Sequence, residues 1–334
     1  MIISYAICSA NHLPFAKSLA DSLLSFNPTH TFVIILADRQ PGIDRNLFSP
    51  HTIITADELL IQDLEKMNER YDIFELCCAL KPFAADYLFK TYPACRLVFY
   101  FDTDILVFNN LSEAEFILAD HPVLITPHIM SSADFEDRID VEIGLLRSGI
   151  FNGGFFGLKR CDDTDHFLAW WMKRLKDHCF NDAVNGLFVD QLWLNFLPTV
   201  SRNAVILYNP GYNMAYWNFG ERLISEKDGK FFVNEIYPLV FFHFSGHNPD
   251  NESVLSKYHS VYNFDNRPDS KAVFAAYRNV AIRNNRDDFF SLTPQLGKLK
   301  EQPVPEEIIE LPPPPPPREK NFFKRKYKKW FGGK

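Results

Sequence analysis

The run VFYFDTDILVF, residues 98–108, sets two carboxylates, Asp102 and Asp104, one residue apart between apolar stretches. A strand that ends directly in Asp102 delivers both acids at the carboxyl edge of a sheet, where open α/β sheets bind their ligands. Carboxylates this close, flanked by buried residues, repel each other and need a cation to be tolerated. Oxygen ligands suit Mg2+ or Mn2+. Such an ion can bridge a diphosphate and neutralise a departing nucleoside diphosphate. On its own Asp-x-Asp is a common polar turn between strands; the apolar flanks are what favour the metal reading. A second candidate, His243, lies in YPLVFFHFSGHN, residues 237–248, again inside an apolar run. A lone histidine there is usually core. If it meets the two aspartates it becomes a third ligand, and imidazole favours manganese over magnesium.

Elements that could position these groups follow from the pattern of apolar residues. Ile2–Cys8 reads as a buried strand, LPFAKSLADSLLSF (13–26) as a helix, and TFVIILA (31–37) as a second strand. Strand, helix, strand makes a βαβ unit, which implies a parallel sheet with both faces covered. Helices are expected at 57–69 and 73–90, the second broken or kinked at Pro82. Arg96–Phe101 is the strand that carries Asp102. A helix near 112–119 and a strand at 122–126 follow, then a polar stretch at 128–148 that reads as a loop or lid, with or without helical turns. The strand FNGGFFGL (151–158) precedes helices at 163–179 and 188–196, strands at 203–207 and 238–244, and a partly helical region at 252–283.

The 334 residues are 46% hydrophobic and 23% charged, as in ordinary globular proteins. The net charge of −7 is uneven: residues 318–334 carry eight Lys/Arg and one Glu, so the rest of the chain stands at −14. An acidic body does not suit duplex nucleic acid, which needs a basic footprint. Cys8, Cys77, Cys78, Cys95, Cys161 and Cys179 form no metal or disulfide pattern. With no signal-peptide pattern and no apolar span long enough for a bilayer, the expected compartment is a reduced cytoplasm. Six consecutive prolines in 301–317 enforce polyproline II, a stiff spacer of roughly 19 Å. Three units are therefore expected: a folded domain over 1–290, a Pro-rich linker over 291–317 and a basic aromatic tail over 318–334. In that tail Phe323, Tyr327 and Trp330 recur at i, i+4, i+7 among lysines and arginines, which suits the interface of an anionic bilayer.

Six segments taken in order resemble the retaining glycosyltransferases of family 8, the group that includes bacterial lipopolysaccharide galactosyltransferases and glycogenin. They are SYAICSANHLPFAKSLADSLL, LKPFAADYL, FYFDTDILVF, FNGGFFGLKR, DQLWLNFLP and FFHFSG, spread over residues 2–250. The resemblance implies a GT-A type fold, a Rossmann-like α/β domain with a mixed central sheet, and transfer of a hexosyl unit from a UDP-sugar with Mn2+ as cofactor. It assigns Asp102, Asp104 and His243 to the metal, with Asp102 also near the donor ribose. Tyr5 and Ala6, at the loop of the first strand, would line the nucleotide pocket. Lys81 would stand near the donor phosphates or sugar, and Gly246 follows the metal histidine in the pocket. Gly153 and Gly154 would let the backbone approach the donor sugar while the Asn152 amide bonds its hydroxyls. Asp190 would bond sugar hydroxyls and Gln191 would lie beside the anomeric carbon; the plainer reading of Asp190 is a carboxylate at the start of a helix.

One departure stands out. Where the family carries a lysine soon after its metal histidine, this chain has His247 and Asn248. The implied acceptor is a glycan or lipid-linked glycan, in polysaccharide or lipopolysaccharide biosynthesis, with the enzyme cytoplasmic and held peripherally on the inner membrane face by its tail. The alternatives are a nucleotidyltransferase or phosphosugar-processing enzyme, against which the lack of a Gly-rich basic phosphate loop counts, and an inactive glycan-binding relative, against which the intact acidic pair counts.

Overall fold

In the computed structural model the residues described are 1–40, 42–131, 139–251, 253–284 and 287–298. The strands that position the site are β1 (Ile2–Cys8), β2 (His30–Leu36), β3 (Thr52–Thr55), β4 (Leu97–Phe101), β5 (Ile105–Val107), β6 (Val123–Pro127), β7 (Phe151–Lys159), β8 (Val205–Ile206) and β9 (Phe241–His243). Seven of them form one sheet in the order β8-β6-β7-β4-β1-β2-β3. β1 and β2 pair in parallel, as the βαβ pattern requires, and β4 and β3 extend the parallel run on either side. β7 enters antiparallel between β4 and β6, so the sheet is mixed.

Alternation along the strands fills both faces. Ile3, Tyr5, Ile7, Val98 and Tyr100 face one core; Ile2, Ala6, Cys8, Phe99 and Phe101 face the other. Helix α1 (Leu13–Phe26) covers the second core with Leu13, Ala16, Leu19 and Leu23. Helices α2 (Ile73–Thr91) and α3 (Asp162–Leu175) cover the first. A capping box starts α2: Glu75 N–H donates to Asp72 Oδ1 at 2.7 Å, and Asp72 N–H to Glu75 Oε2 at 3.1 Å. The break expected at Pro82 does not occur: α2 is one helix from Ile73 to Thr91. Leu76, Ala79, Leu80, Ala84, Ala85 and Leu88 bury one continuous face in the core, and that packing outweighs the roughly 3 kcal/mol that an interior proline costs through its missing N–H and its ring clash.

Other boundaries moved as well. The helix expected at 57–69 is a 3-10 turn, Asp57–Leu59, followed by a short helix, Leu64–Arg70. The strand expected at 238–244 is two short pieces, Tyr237–Pro238 and β9. The helix expected over 188–196 is a 3-10 segment, Leu192–Phe196. Part of the polar stretch at 128–148 is helical, Ile139–Ser148, while 132–138 lie outside the described residues. Beyond 290 the chain still packs on the body: Gln295 N–H donates to Asp38 at 2.8 Å and Leu296 is buried. The proline run and the basic tail lie outside the described residues.

Candidate active site

β4 ends at Phe101, and the chain turns through Asp102-Thr103-Asp104 into β5, which leaves the main sheet to pair antiparallel with β9. That register sets His243 opposite Ile105, and Phe244 N–H donates to Asp104 O at 2.7 Å. A local turn and one long-range strand pair thus bring the three candidate ligands together. His243 Nε2 lies 3.0 Å from Asp104 Oδ1 and 3.9 Å from Asp102 Oδ2. One ligand atom from each of the three residues falls within 4.8 Å of the others. Neighbouring ligands on a divalent ion with bonds of about 2.1 Å sit roughly 3 Å apart, so the cluster fits such an ion after side-chain adjustments of an ångström or less. The backbone leaves room for it: a Cβ on Gly154 would fall 2.8 Å from Asp102 Oδ2 and collide with the His243 ring.

Behind the acids stands one buried cation. Lys81, from the middle of α2, is 3% exposed; its ammonium lies 3.4 Å from Asp102 Oδ1 and donates to Asp190 Oδ2 and Gly153 O, each at 3.0 Å. Burial works against the charged ammonium, but Asp102 and Asp190 outweigh it and hold its pKa well above the usual. For Asp104 burial pushes the carboxyl up, and the His243 charge and hydrogen bond more than reverse that. His243 is raised correspondingly: desolvation lowers it, Asp104 and Asp102 lift it further. Three carboxylates against one lysine leave a deficit that a single divalent cation, with His243 neutral as its ligand, brings to zero.

Beside this cluster lies a network of amides. Asn152 Nδ2 donates to Gln191 Oε1 at 3.2 Å and lies 3.2 Å from His128 Nε2, while its Oδ1 accepts from Gly154 N at 3.0 Å and Asn213 Nδ2 at 3.0 Å. The Asn152 amide is therefore fully used within the protein. Gln191 also accepts from Gly153 N at 2.9 Å and donates to Ser148 O at 2.9 Å. Gly153 allows the approach, since a Cβ there would lie 2.7 Å from Asp190 Oδ2. His128, buried, is pushed down to about 4 chiefly by desolvation, so it is a neutral imidazole.

A cavity of about 510 Å³ opens over Lys81, Asp102 and Asp104. Its remaining wall includes Ser9, His12, Phe74, Gly246, Lys257 and Tyr277. No model of a known protein family matches the chain. The uncharacterized protein YfnF of Bacillus subtilis (strain 168) is 30% identical over 210 residues, which cover 63% of this chain and 67% of YfnF. The chain belongs to the YfnF family. Among solved structures it is similar to the galactosyltransferase LgtC in complex with donor and acceptor sugar analogues, at 14% identity over 88% of this chain and 98% of LgtC, with a TM-score of 0.49. It is also similar to the glycosyltransferase GlyE of Streptococcus pneumoniae TIGR4, at 14% identity over 84% of this chain and 62% of GlyE, with a TM-score of 0.48.

Within this YfnF-family chain the expected residues fall into three groups. Asp102, Asp104 and His243 converge, Lys81 and Gly154 adjoin them, and Asp190, Asn152, Gly153 and Gln191 form the layer behind. Gly246 reaches the cavity in the left-handed region, φ +72°, where a Cβ would strike Tyr258. Tyr5 and Ala6 stand in the middle of β1 rather than at its loop, and both are fully buried. Tyr5 donates to Lys81 O at 2.7 Å, and the cavity wall at this strand is Ile7, Cys8 and Ser9. Asp190 does not open a helix; it is 1% exposed and turned to Lys81. Sequence reasoning missed Asn213, His128 and Lys257. Only Lys257 had a signal to follow, the missing cation near His247, and it reaches the same cavity wall as His247 and Asn248.

Proposed function

We propose that this chain is a metal-dependent glycosyltransferase that moves a sugar, a hexose in class, from a UDP-sugar to a hydroxyl of a glycan or lipid-linked glycan, with retention of configuration. The observation that carries this reading is the Asp102–Asp104–His243 cluster, whose two carboxylates line the floor of an open cavity with His243 buried beside them, and one buried lysine and a saturated amide network behind. The ordered sequence segments supply the reaction class. Manganese fits the mixed oxygen and imidazole donors better than magnesium. When bound, the ion supplies a Lewis acid that carries the negative charge of the leaving diphosphate.

The chain's own residues divide the remaining work. Asp102, Asp104 and His243 hold the ion. Lys81 holds Asp102 and Asp190 in place through its ammonium. Asp190 and Gln191 face the transferred sugar, and Asn152 holds Gln191 by its carbonyl oxygen. Lys257 at the cavity wall meets the phosphates. Among the described residues no helix is long and apolar enough to cross a membrane. The basic aromatic tail over 318–334 attaches the enzyme to an anionic cytoplasmic membrane face, where a lipid-linked acceptor would be presented.

A panel of UDP-, GDP- and CMP-sugars, assayed for nucleotide release with Mn2+ and with chelator, tests the reading. The expected result is UDP release from one UDP-sugar, abolished by chelator. Turnover that ignores chelator would sink it, and release of phosphate or pyrophosphate would move the chain to the phosphosugar or nucleotidyl class.

A further inference from the structure

Asn213 lies on the loop that follows β8, fully buried, with φ +53°. Its amide points at three side chains from three different elements. Nδ2 donates to Thr126 Oγ1 at 2.9 Å and to Asn152 Oδ1 at 3.0 Å, which uses both amide protons. The remaining atom, Oδ1, faces His243 Nδ1 at 3.3 Å. We infer that Asn213 is the positioning residue of the metal centre, an inference that rests on the metal-dependent reading above.

An imidazole offers a metal a lone pair at one nitrogen, and the hydrogen bond made by the other nitrogen decides which. Asn213 Oδ1 can only accept, so Nδ1 of His243 carries the hydrogen. Nε2, the nitrogen beside Asp104 and Asp102, is then the one left to the ion. Partners on both sides hold the Asn213 amide in this orientation, because turning it over would set its NH2 against the His243 Nδ1 hydrogen and its oxygen against Asn152 Oδ1.

The loop is fixed to match. Arg222, 1% exposed, donates to Tyr212 O at 3.0 Å and Pro210 O at 3.2 Å. Asn218 Nδ2 donates to Asn213 O at 2.9 Å, and His243 N–H to Met214 O at 2.8 Å. Asparagine also tolerates the left-handed backbone that the turn requires, so one residue type satisfies the loop and the imidazole together. Asn152 carries the constraint onward to Gln191, which ties the metal ligand to the sugar side of the site through two buried amides.

The test is Mn2+ affinity of the full chain, read from the EPR signal of free Mn2+ during titration, beside the thermal midpoint of chelator-treated protein. Asn213→Gly keeps the backbone geometry and removes the amide; its Mn2+ affinity should fall about 10–100-fold. Asn213→Asp keeps an acceptor for Nδ1–H, although its second oxygen then meets Asn152 Oδ1, and should restore part of that loss. Equal loss in the two variants places the effect in the loop and overturns the inference. If Asn213→Gly does not fold, Thr126→Val removes one of the groups that orient the amide and leaves the loop backbone alone. Weakened Mn2+ binding in that variant supports the positioning role, and unchanged binding refutes it. Asp104→Asn separates the two levels. If wild type binds Mn2+, Asp104→Asn does not, and Asn213→Gly binds like wild type, the metal reading stands and the positioning role falls. If wild type binds no Mn2+, both fall together.

Discussion

At the floor of the cavity Lys81 is 3% exposed and already carries its full set of oxygen partners, whereas at the mouth Phe74 is 52% exposed and the Lys257 ammonium rests 5.0 Å over the Tyr258 ring. The two regions line one cavity and are built in opposite ways. On the floor, charges and amides are matched to each other by the fold before any substrate arrives, so their geometry is set in advance. At the mouth, Phe74 in the first turn of α2 and Lys257 on a loop await a ligand. Changes to the floor should therefore register as lost stability or lost metal, and changes to the mouth as lost affinity for the donor.

The strongest way to break that contrast is Lys81→Met. It strands Asp190 and leaves Asp102 with one neighbour fewer, and should cost about 3–5 kcal/mol in urea unfolding. Lys81→Met with Asp190→Asn should recover part of it, giving a large coupling in a double-mutant cycle. A loss under 1 kcal/mol would show that the buried pair does not organise the floor. Next comes Asp104→Asn, at the edge between the two regions. Its side chain is 37% exposed, so the fold should hold while sugar transfer falls by ~10²–10³-fold, the range for removing one preorganised charge-stabilising group. Initial rates with saturating donor and far-ultraviolet circular dichroism check the two halves of that statement.

How much of this was legible in the sequence divides along the same line. Asp102 and Asp104 stood out because strand and acids are contiguous, and the parallel β1-β2 pair follows from the βαβ pattern, whereas β3, only four residues long, was not read from the sequence. His243 could be proposed as a ligand, but its meeting with Asp104 depends on the β5–β9 pair, whose three-residue strands carry too little periodicity to announce a partner. Asp190 looked like a helix-opening carboxylate because its real partner, Lys81, is 109 residues away on another element. Asn213 sits in an Asn- and aromatic-rich loop where every asparagine reads as a turn former. Pro82 misled for a different reason. Propensity is local, and the packing that overrides it is not. For Lys257 the only hint was indirect, the cation missing near His247, and nothing in its own neighbours pointed to the cavity.

His128 offers a smaller effect with a defined pH window. Its folded pKa, about 4, lies below the ordinary imidazole value, so the unfolded chain binds the proton more readily. Its contribution is fully present above the unfolded pKa of about 6.5 and is lost as pH falls toward the folded value, amounting to about 2 kcal/mol between pH 7.5 and 5. Other groups titrate over the same range, so the measurement is the difference between wild type and His128→Gln in urea at both pH values. The variant should lose less stability on acidification by about that amount. An identical pH dependence would mean that His128 is not held neutral on the floor.

The smallest expected effect comes from the mouth, and it sharpens the contrast most directly. Lys257 is exposed, and its backbone is tied in by a 2.9 Å bond from its N–H to Gly246 O, so truncating the side chain leaves the loop's anchor intact. An exposed substitution of this kind should stay within about 0.5 kcal/mol in stability. Its charge faces the cavity that also holds Asp104 and His12, and screened attraction to a diphosphate there is worth about 1 kcal/mol. Lys257→Ala should therefore raise KM for the nucleotide-sugar by roughly 5–10-fold with kcat little changed, the signature of an interaction made equally in ground and transition states. Raising the salt concentration should shrink the difference between wild type and variant. A fall in kcat at unchanged KM would instead move Lys257 to the floor's side of the comparison, among the groups that act on the leaving diphosphate in the transition state.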